Sequence, residues 1–278
     1  MLRLELRERN HKFHRRYRLT AQYSYGSSPV VVYEPEGDRH GNFHPVSYQQ
    51  ILHHDSWHKR LGKVHTSART ALPKSDRKWC ELDSCNSSDA LLMNVFCHPG
   101  ILEDSRLAWL LGLETISLPE FGVRARVPLQ EGKFDRTEVD MRIGDLLVEA
   151  KLTEADFQSK PKATLETYRD FREVFNRRDL PQNKEKYNGY QLIRNVLAAQ
   201  AMNLSFCVLC DARRPDLIEQ WYAVMRCVKL AELRVRCKVL TWQELSEVLP
   251  DDLQSFLDEK YGIRSGPIIP YEFEHTRE

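Results

Sequence analysis

The chain has 278 residues, of which 41% are hydrophobic and 29% charged; 41 basic and 40 acidic side chains leave a formal net charge of +1. That is globular composition with room for one substantial core. It excludes an overall basic field for holding a polyanion, and no apolar run approaches the roughly 20 residues of a membrane span. Seven cysteines without framework spacing point to a reducing compartment. The N-terminus lacks the apolar core of a secretory signal, so the expected location is cytoplasmic.

In chain order, Arg3, Arg7, Arg9, Lys12, Arg15, Arg16 and Arg18 outnumber Glu5 and Glu8 in the first segment. It reads as a solvated strand or arm, or as a contact for nucleic acid or an anionic surface. Val30-Val31-Val32-Tyr33 is strand-like, residues 34–45 form a loop, and a short helix is expected over 46–61. His54 and His58 stand one helical turn apart there and can share a metal, although no third ligand is evident. Residues 1–75 are therefore assigned to an N-terminal extension for substrate or partner contact, and residues 76–278 to the main domain.

Asn86, Ser87 or Ser88 caps a helix running through Ala90, Leu91, Leu92, Met93, Val95 and Phe96. Pro99-Gly100 breaks it, and 101–113 resumes as a second helix. Residues 115–128 form a strand and 130–136 a loop. Beyond residue 152, helices are expected over 162–176, 185–203, 215–230, 243–249 and 251–261, with strands over 204–210 and 234–240. Strands separated by helices of this length predict an α/β sheet flanked on both faces. Cys207 and Cys210 are spaced C-x-x-C, but in a strand their sulfurs point to opposite faces.

The densest information lies in Thr137–Leu152. A Gly144-Asp145 loop, with glycine at its first central position, suits a type II′ hairpin. Pairing then runs Ile143–Leu146, Met141–Val148, Asp140–Glu149 and Glu138–Lys151. Val139, Met141, Ile143, Leu146, Val148, Ala150 and Leu152 share an apolar face, and Glu138, Asp140, Glu149 and Lys151 share the other. Two carboxylates directly opposite, roughly 5 Å apart at Cβ, repel each other unless a cation lies between them.

Asp140, Glu149 and Lys151, spaced Asp-x8-Glu-x-Lys across the hairpin, resemble the PD-(D/E)XK phosphodiesterases of the restriction-endonuclease-like fold. The resemblance covers about residues 85–245. Ser87–Phe96, Glu149–Glu154 and Gln191-Leu192-Ile193-Arg194-Asn195 are similar to segments of a bacterial branch of that superfamily. It implies an α/β fold with a mixed central β-sheet flanked by helices and a nuclease hydrolysing DNA in defence or repair, with RNA not excluded and a homodimer possible. It also implies that Asp140, Glu149, the Ala150 carbonyl and an upstream acid hold Mg²⁺, for which Mn²⁺ can substitute. Glu103 is favoured for that acid over Asp104, Glu114 and Glu120. Lys151 would orient water or stabilise the transition state, and Gln191 would support the site.

The chain departs from that pattern in two places. Val139 stands where the signature has proline, and Asn195 stands where relatives carry tyrosine four residues after the glutamine. Arg124, Arg126, Arg172, Arg177, Arg178 and Arg194 are candidates for phosphate contacts. The competing reading keeps the fold as a catalytically inactive nucleic-acid-binding or assembly module. In a third, an unrelated α/β protein works through its histidine-rich N-terminal half. No glycine-rich nucleotide loop and no G-x-S-x-G serine is present.

Overall fold

Strand propensity concentrated between residues 120 and 241 produces one five-stranded sheet. In chain order its strands are β1 (Glu120–Arg124), β2 (Glu138–Ile143), β3 (Leu146–Ala150), β4 (Ser205–Cys210) and β5 (Cys237–Thr241). They lie in the order β5-β4-β3-β2-β1. The β1–β2 and β2–β3 pairs are antiparallel, and the β3–β4 and β4–β5 pairs are parallel. The principal helices are α1 (Leu2–Arg16), α2 (Pro45–His53), α3 (Ser88–Phe96), α4 (Tyr190–Met202), α5 (Pro215–Met225) and α6 (Asp251–Tyr261). This computed structural model describes residues 2–24, 29–64, 80–101 and 104–267. The expected α/β architecture with a mixed central sheet is present.

The chain divides into two compact units, residues 1–107 with 242–278, and residues 108–241. This partition differs from a division near residue 75, because the segments on either side of that position share a unit with α6. The 108–241 unit holds the sheet. Leu147, Phe206, Val208 and Cys210 on one face belong to the same apolar core as Leu192, Ile193 and Val196 of α4. On the other hairpin face Met141, Ile143, Leu146, Val148, Ala150 and Leu152 are fully buried, whereas Val139 belongs to the core that α4 covers.

The first unit corrects the expectation for the N-terminus. Residues 2–16 form a helix whose buried face is Leu2, Leu6 and Phe13 with the polar Glu5 and Asn10. Asn10 donates through Nδ2 to the Leu6 and Lys260 carbonyls (2.8 and 3.2 Å), and Phe13 packs edge-on against Phe256 of α6. The helix expected over 46–61 breaks at His54, which adopts extended geometry and caps both α2 and the turn of helix Asp55–Leu61. Residues 162–176 likewise split into Lys162–Glu166 and Phe171–Val174.

Lys260 of α6 is fully enclosed. Its Nζ donates to the Gly41 carbonyl (2.9 Å) and lies over the rings of Tyr33 and Phe13, at 3.8 and 4.7 Å from their centroids. Burial pushes its pKa well below the ordinary lysine value.

Candidate active site

The hairpin turn forms as its sequence predicts. Gly144 takes φ +57 and Asp145 keeps negative φ, the asymmetry of a turn with glycine first. Ser117 Oγ accepts from the Gly144 N–H at 2.8 Å. The register Met141↔Val148, Arg142↔Leu147, Ile143↔Leu146 is the expected one.

Beyond Met141 and Val148 the outcome differs from a simple continuation. The mutual pairing ends there and the strands keep only their outer neighbours, with Arg124↔Glu138 and Val123↔Val139 on one side and Val208↔Glu149 and Leu209↔Ala150 on the other. Gly122, at φ +67, lies between the two residues of β1 that pair with Met141 and Val139. Asp140 does not face Glu149 across a ladder. Its Oδ2 accepts from the Ala150 backbone N–H at 2.8 Å, so the carboxylate is seated where the strands separate. Lys151 likewise does not sit opposite Glu138 in the ladder.

Glu149 is 1% exposed and carries a hydrogen bond on each oxygen. Lys151 Nζ donates to Oε1 at 2.6 Å and Asn195 Nδ2 donates to Oε2 at 2.8 Å. The Lys151 backbone N–H donates to Leu209 O at 2.8 Å, and its Nζ lies 5.6 Å from the centre of the Phe157 ring. Burial works against the ammonium, but the carboxylates of Glu149, Asp140 and Glu154 outweigh it and hold the Lys151 pKa above its ordinary value. Lys151 is therefore a cation, which makes it a donor of hydrogen bonds and positive charge and a poor general base. The carboxylates of Asp140, Glu149 and Glu154 that act on this ammonium are hard oxygen donors, the kind a divalent cation takes.

Helix α4 supplies the supporting wall. Its first turn is tied to the loop after Lys151: the Gly189 and Tyr190 amides donate to Gln158 O, and the Gln191 amide donates to Phe157 O. Arg194 donates from Nη1 to Thr137 O and from Nη2 to Glu138 O, both at 2.8 Å, fixing the entry to β2. It is 1% exposed and occupied by backbone, which removes it from the phosphate-contact candidates. The neighbouring Asn195 is fully buried; its Oδ1 and the Arg194 Nε have no partner among the described residues. Gln191 is half-buried, and among the described residues its side chain makes no hydrogen bond. The structure thus brings Asn195, not Gln191, onto Glu149. Helical spacing in the sequence offered both, and the buried carboxylate selects the one facing the sheet.

The remaining candidates divide clearly. Glu103 lies outside the described residues. Asp104 is paired with Arg106 at 2.6 Å. Glu114 and Glu120 are exposed, and Glu120 stands opposite Arg142, toward the turn of the hairpin. Sequence reasoning missed Glu154 as a site residue; its Oε2 accepts from the Leu152 N–H at 2.6 Å and its charge acts on Lys151. The signal was available, an acid three residues beyond the lysine in the same turn. Arg172 and Arg177 pair with Glu166, whereas Arg124, Arg126 and Arg178 are exposed. His54 stacks on Trp57 with ring centres 4.2 Å apart, and neither His54 nor His58 joins a metal-ligating cluster among the described residues.

Replacing Asn195 by alanine is expected to lower stability by about 1–3 kcal/mol, because a charged, buried hydrogen bond is lost. Chemical denaturation measures this, and the same substitution at Gln191 should change stability by less than about 0.5 kcal/mol.

The family model described as Restriction Endonuclease associating with ARP matches residues 9–262. The chain belongs to this family. Comparisons with curated proteins and with solved structures gave no match. The family's description is that of a restriction endonuclease, in line with a nuclease-like function and with a restriction-endonuclease-like fold, and the match runs through both compact units. Among the described residues, no helix is long and apolar enough to cross a membrane.

Proposed function

We propose that this member of the restriction-endonuclease family is a PD-(D/E)XK nuclease that hydrolyses DNA phosphodiester bonds with a divalent metal, in defence or repair. The observation that carries the reading is the convergence of Asp140, Glu149 and Glu154 on the Lys151 ammonium, with the Ala150 amide holding Asp140 in place. The donor set fits the ion: carboxylates and a backbone carbonyl are hard oxygen ligands of the kind Mg²⁺ and Mn²⁺ take. Asp140, Glu149 and the Ala150 carbonyl would hold it, with Glu103 the proposed upstream acid. A carboxylate oxygen that accepts one hydrogen bond keeps lone pairs for a metal, so the bonds from Lys151 and Asn195 do not close Glu149 to it.

When bound, such an ion lowers the pKa of water and neutralises charge on the phosphate. The chain's own residues do the rest. Lys151, a fixed ammonium, donates to the phosphoryl oxygen on which charge grows. Asn195 and Lys151 together keep the Glu149 carboxylate from rotating. The Asn195 Oδ1, without a partner among the described residues, is an acceptor for a water proton, and Gln191 lies one turn earlier on the same helix. Exposed Arg124, Arg126 and Arg178 would contact the DNA backbone. RNA is the alternative substrate, and two copies of the chain would serve the two strands of a duplex. The proposed setting is the cytoplasm, with residues 1–75 contacting substrate or a partner.

A second reading, a nucleic-acid-binding module without catalysis, is favoured by one observation: Glu149 already has a hydrogen-bond donor on both oxygens. Incubation of supercoiled and linear DNA with Mg²⁺ or Mn²⁺ distinguishes the two. Cleavage by the natural chain that Asp140→Asn abolishes supports the nuclease. DNA retention without cleavage supports the module, and cleavage that survives Asp140→Asn removes this site from the reaction.

A further inference from the structure

A second group of ligating side chains lies in the other compact unit and plays no part in the nuclease reading. His44 precedes α2, His98 follows α3, and Asp252 is in the first turn of α6, so three distant stretches of sequence converge. One ligand atom from each lies within 4.8 Å of the others. His98 Nε2 is 3.4 Å and His44 Nε2 is 3.7 Å from Asp252 Oδ2. Ligands at about 2.0–2.2 Å from a tetrahedral ion stand roughly 3.4 Å apart, so little adjustment separates this arrangement from a coordination sphere. We propose that His44, His98 and Asp252 form a site for a divalent transition metal of the zinc class.

Three features of the environment support this. The imidazoles are almost wholly buried while the Asp252 carboxylate is 54% exposed, which gives an ion a path in and leaves a coordination position facing solvent. His44 and Asp252 also line a cleft of about 320 Å³ with Phe13, Phe43 and Phe256, the surroundings of an open site. In addition, His44 has neither ring nitrogen within hydrogen-bond distance of a described residue. Its Nδ1 is buried without a partner and its Nε2 has only Asp252, at 3.7 Å. A shared ion would supply the partner that the His44 Nε2 lacks, and the Nδ1 proton of a ligating His44 would take a water molecule. The position of His44 is nevertheless fixed: its backbone N–H donates to Asn94 Oδ1 at 2.6 Å, and Asn94 Nδ2 donates to Asn42 O and Ala90 O.

One contact opposes the ion. The Gly100 N–H donates to His98 Nδ1 at 3.2 Å, which places the proton of neutral His98 on Nε2, toward Asp252. Ligation through Nε2 moves that proton to Nδ1, and the Gly100 amide must then turn away. Gly100 is exposed in a short turn, so water can take over its N–H at small cost.

Imidazole donors separate this site from the all-oxygen centre proposed in the sheet, because they favour Zn²⁺, Co²⁺ or Ni²⁺ over Mg²⁺. Titration of the full chain with Co²⁺, without nucleic acid and with excess Mg²⁺ present, tests it through the visible absorption of low-coordinate cobalt. The expected result is one equivalent bound with nitrogen-ligand bands, retained in the Asp140→Asn/Glu149→Gln chain. Affinity should fall by more than roughly 100-fold in His98→Ala and by roughly tenfold or more in Asp252→Asn, an exposed substitution that does not threaten folding. Absence of the bands in the natural chain overturns the proposal, as does a spectrum unchanged by Asp252→Asn and by either histidine substitution. Neither result bears on the DNA-cleavage assay, so the two sites are judged separately.

Discussion

Lys151→Met is expected to lower DNA cleavage by at least roughly 100-fold, since a preorganised positive donor is removed from the place where charge develops. The same change leaves the Glu149 carboxylate buried with only Asn195 as a donor, and breaking one partner of a buried ion pair costs about 3–5 kcal/mol. Activity and stability would then fall together, which alone does not distinguish a catalytic lysine from a structural one. Adding Glu149→Gln separates them. The double variant removes both members of the buried Lys151–Glu149 pair, so denaturation should return part of the lost stability while cleavage stays absent. Recovery of cleavage in the double variant would contradict a catalytic role for either residue. The sign with pH is also fixed. Because the folded pKa of Lys151 lies above its unfolded value, its contribution to stability is complete below about pH 10 and is lost as pH rises through the folded pKa.

Lys260 gives the second large effect, with the opposite sign. Its folded pKa lies well below the ordinary lysine value, so the unfolded chain binds the additional proton throughout the window between the two. Stability therefore rises with pH across that window, and the burial penalty disappears above the ordinary value near 10.4. The hydrogen bond to Gly41 O, absent in Lys260→Met, offsets about 1–3 kcal/mol of that penalty. Lys260→Met is thus expected to be more stable than the natural chain at neutral pH, with the difference shrinking toward pH 10. Urea denaturation at several pH values measures it. A difference independent of pH would mean that the aromatic rings of Tyr33 and Phe13 keep the amine charged.

What the sequence revealed follows from how strongly each segment is patterned. The hairpin was legible because seven alternating apolar residues and a Gly-Asp turn allow one register. The departure of Asp140 from its expected place opposite Glu149 was not, because it depends on where the mutual pairing of the two strands stops while each stays paired to its outer neighbour. Helix α1 escaped notice because its buried face has only three apolar residues, completed by Glu5 and Asn10, whose burial depends on partners such as Arg9 and the Lys260 carbonyl. His54 and His58 drew attention by helical spacing, whereas the histidines that converge, at positions 44 and 98, carry no local signal. Asn195 stood in view beside Gln191, and only the orientation of α4 on the sheet shows which of the two meets Glu149.

The most direct test of the central claim is anomalous diffraction from crystals of the chain grown with Mn²⁺. The account predicts a manganese peak bound by carboxylate oxygens of Asp140 and Glu149 and by the Ala150 carbonyl, with the Lys151 amine beside it. Manganese bound elsewhere, with the Asp140 and Glu149 carboxylates holding only their present hydrogen bonds, would contradict it.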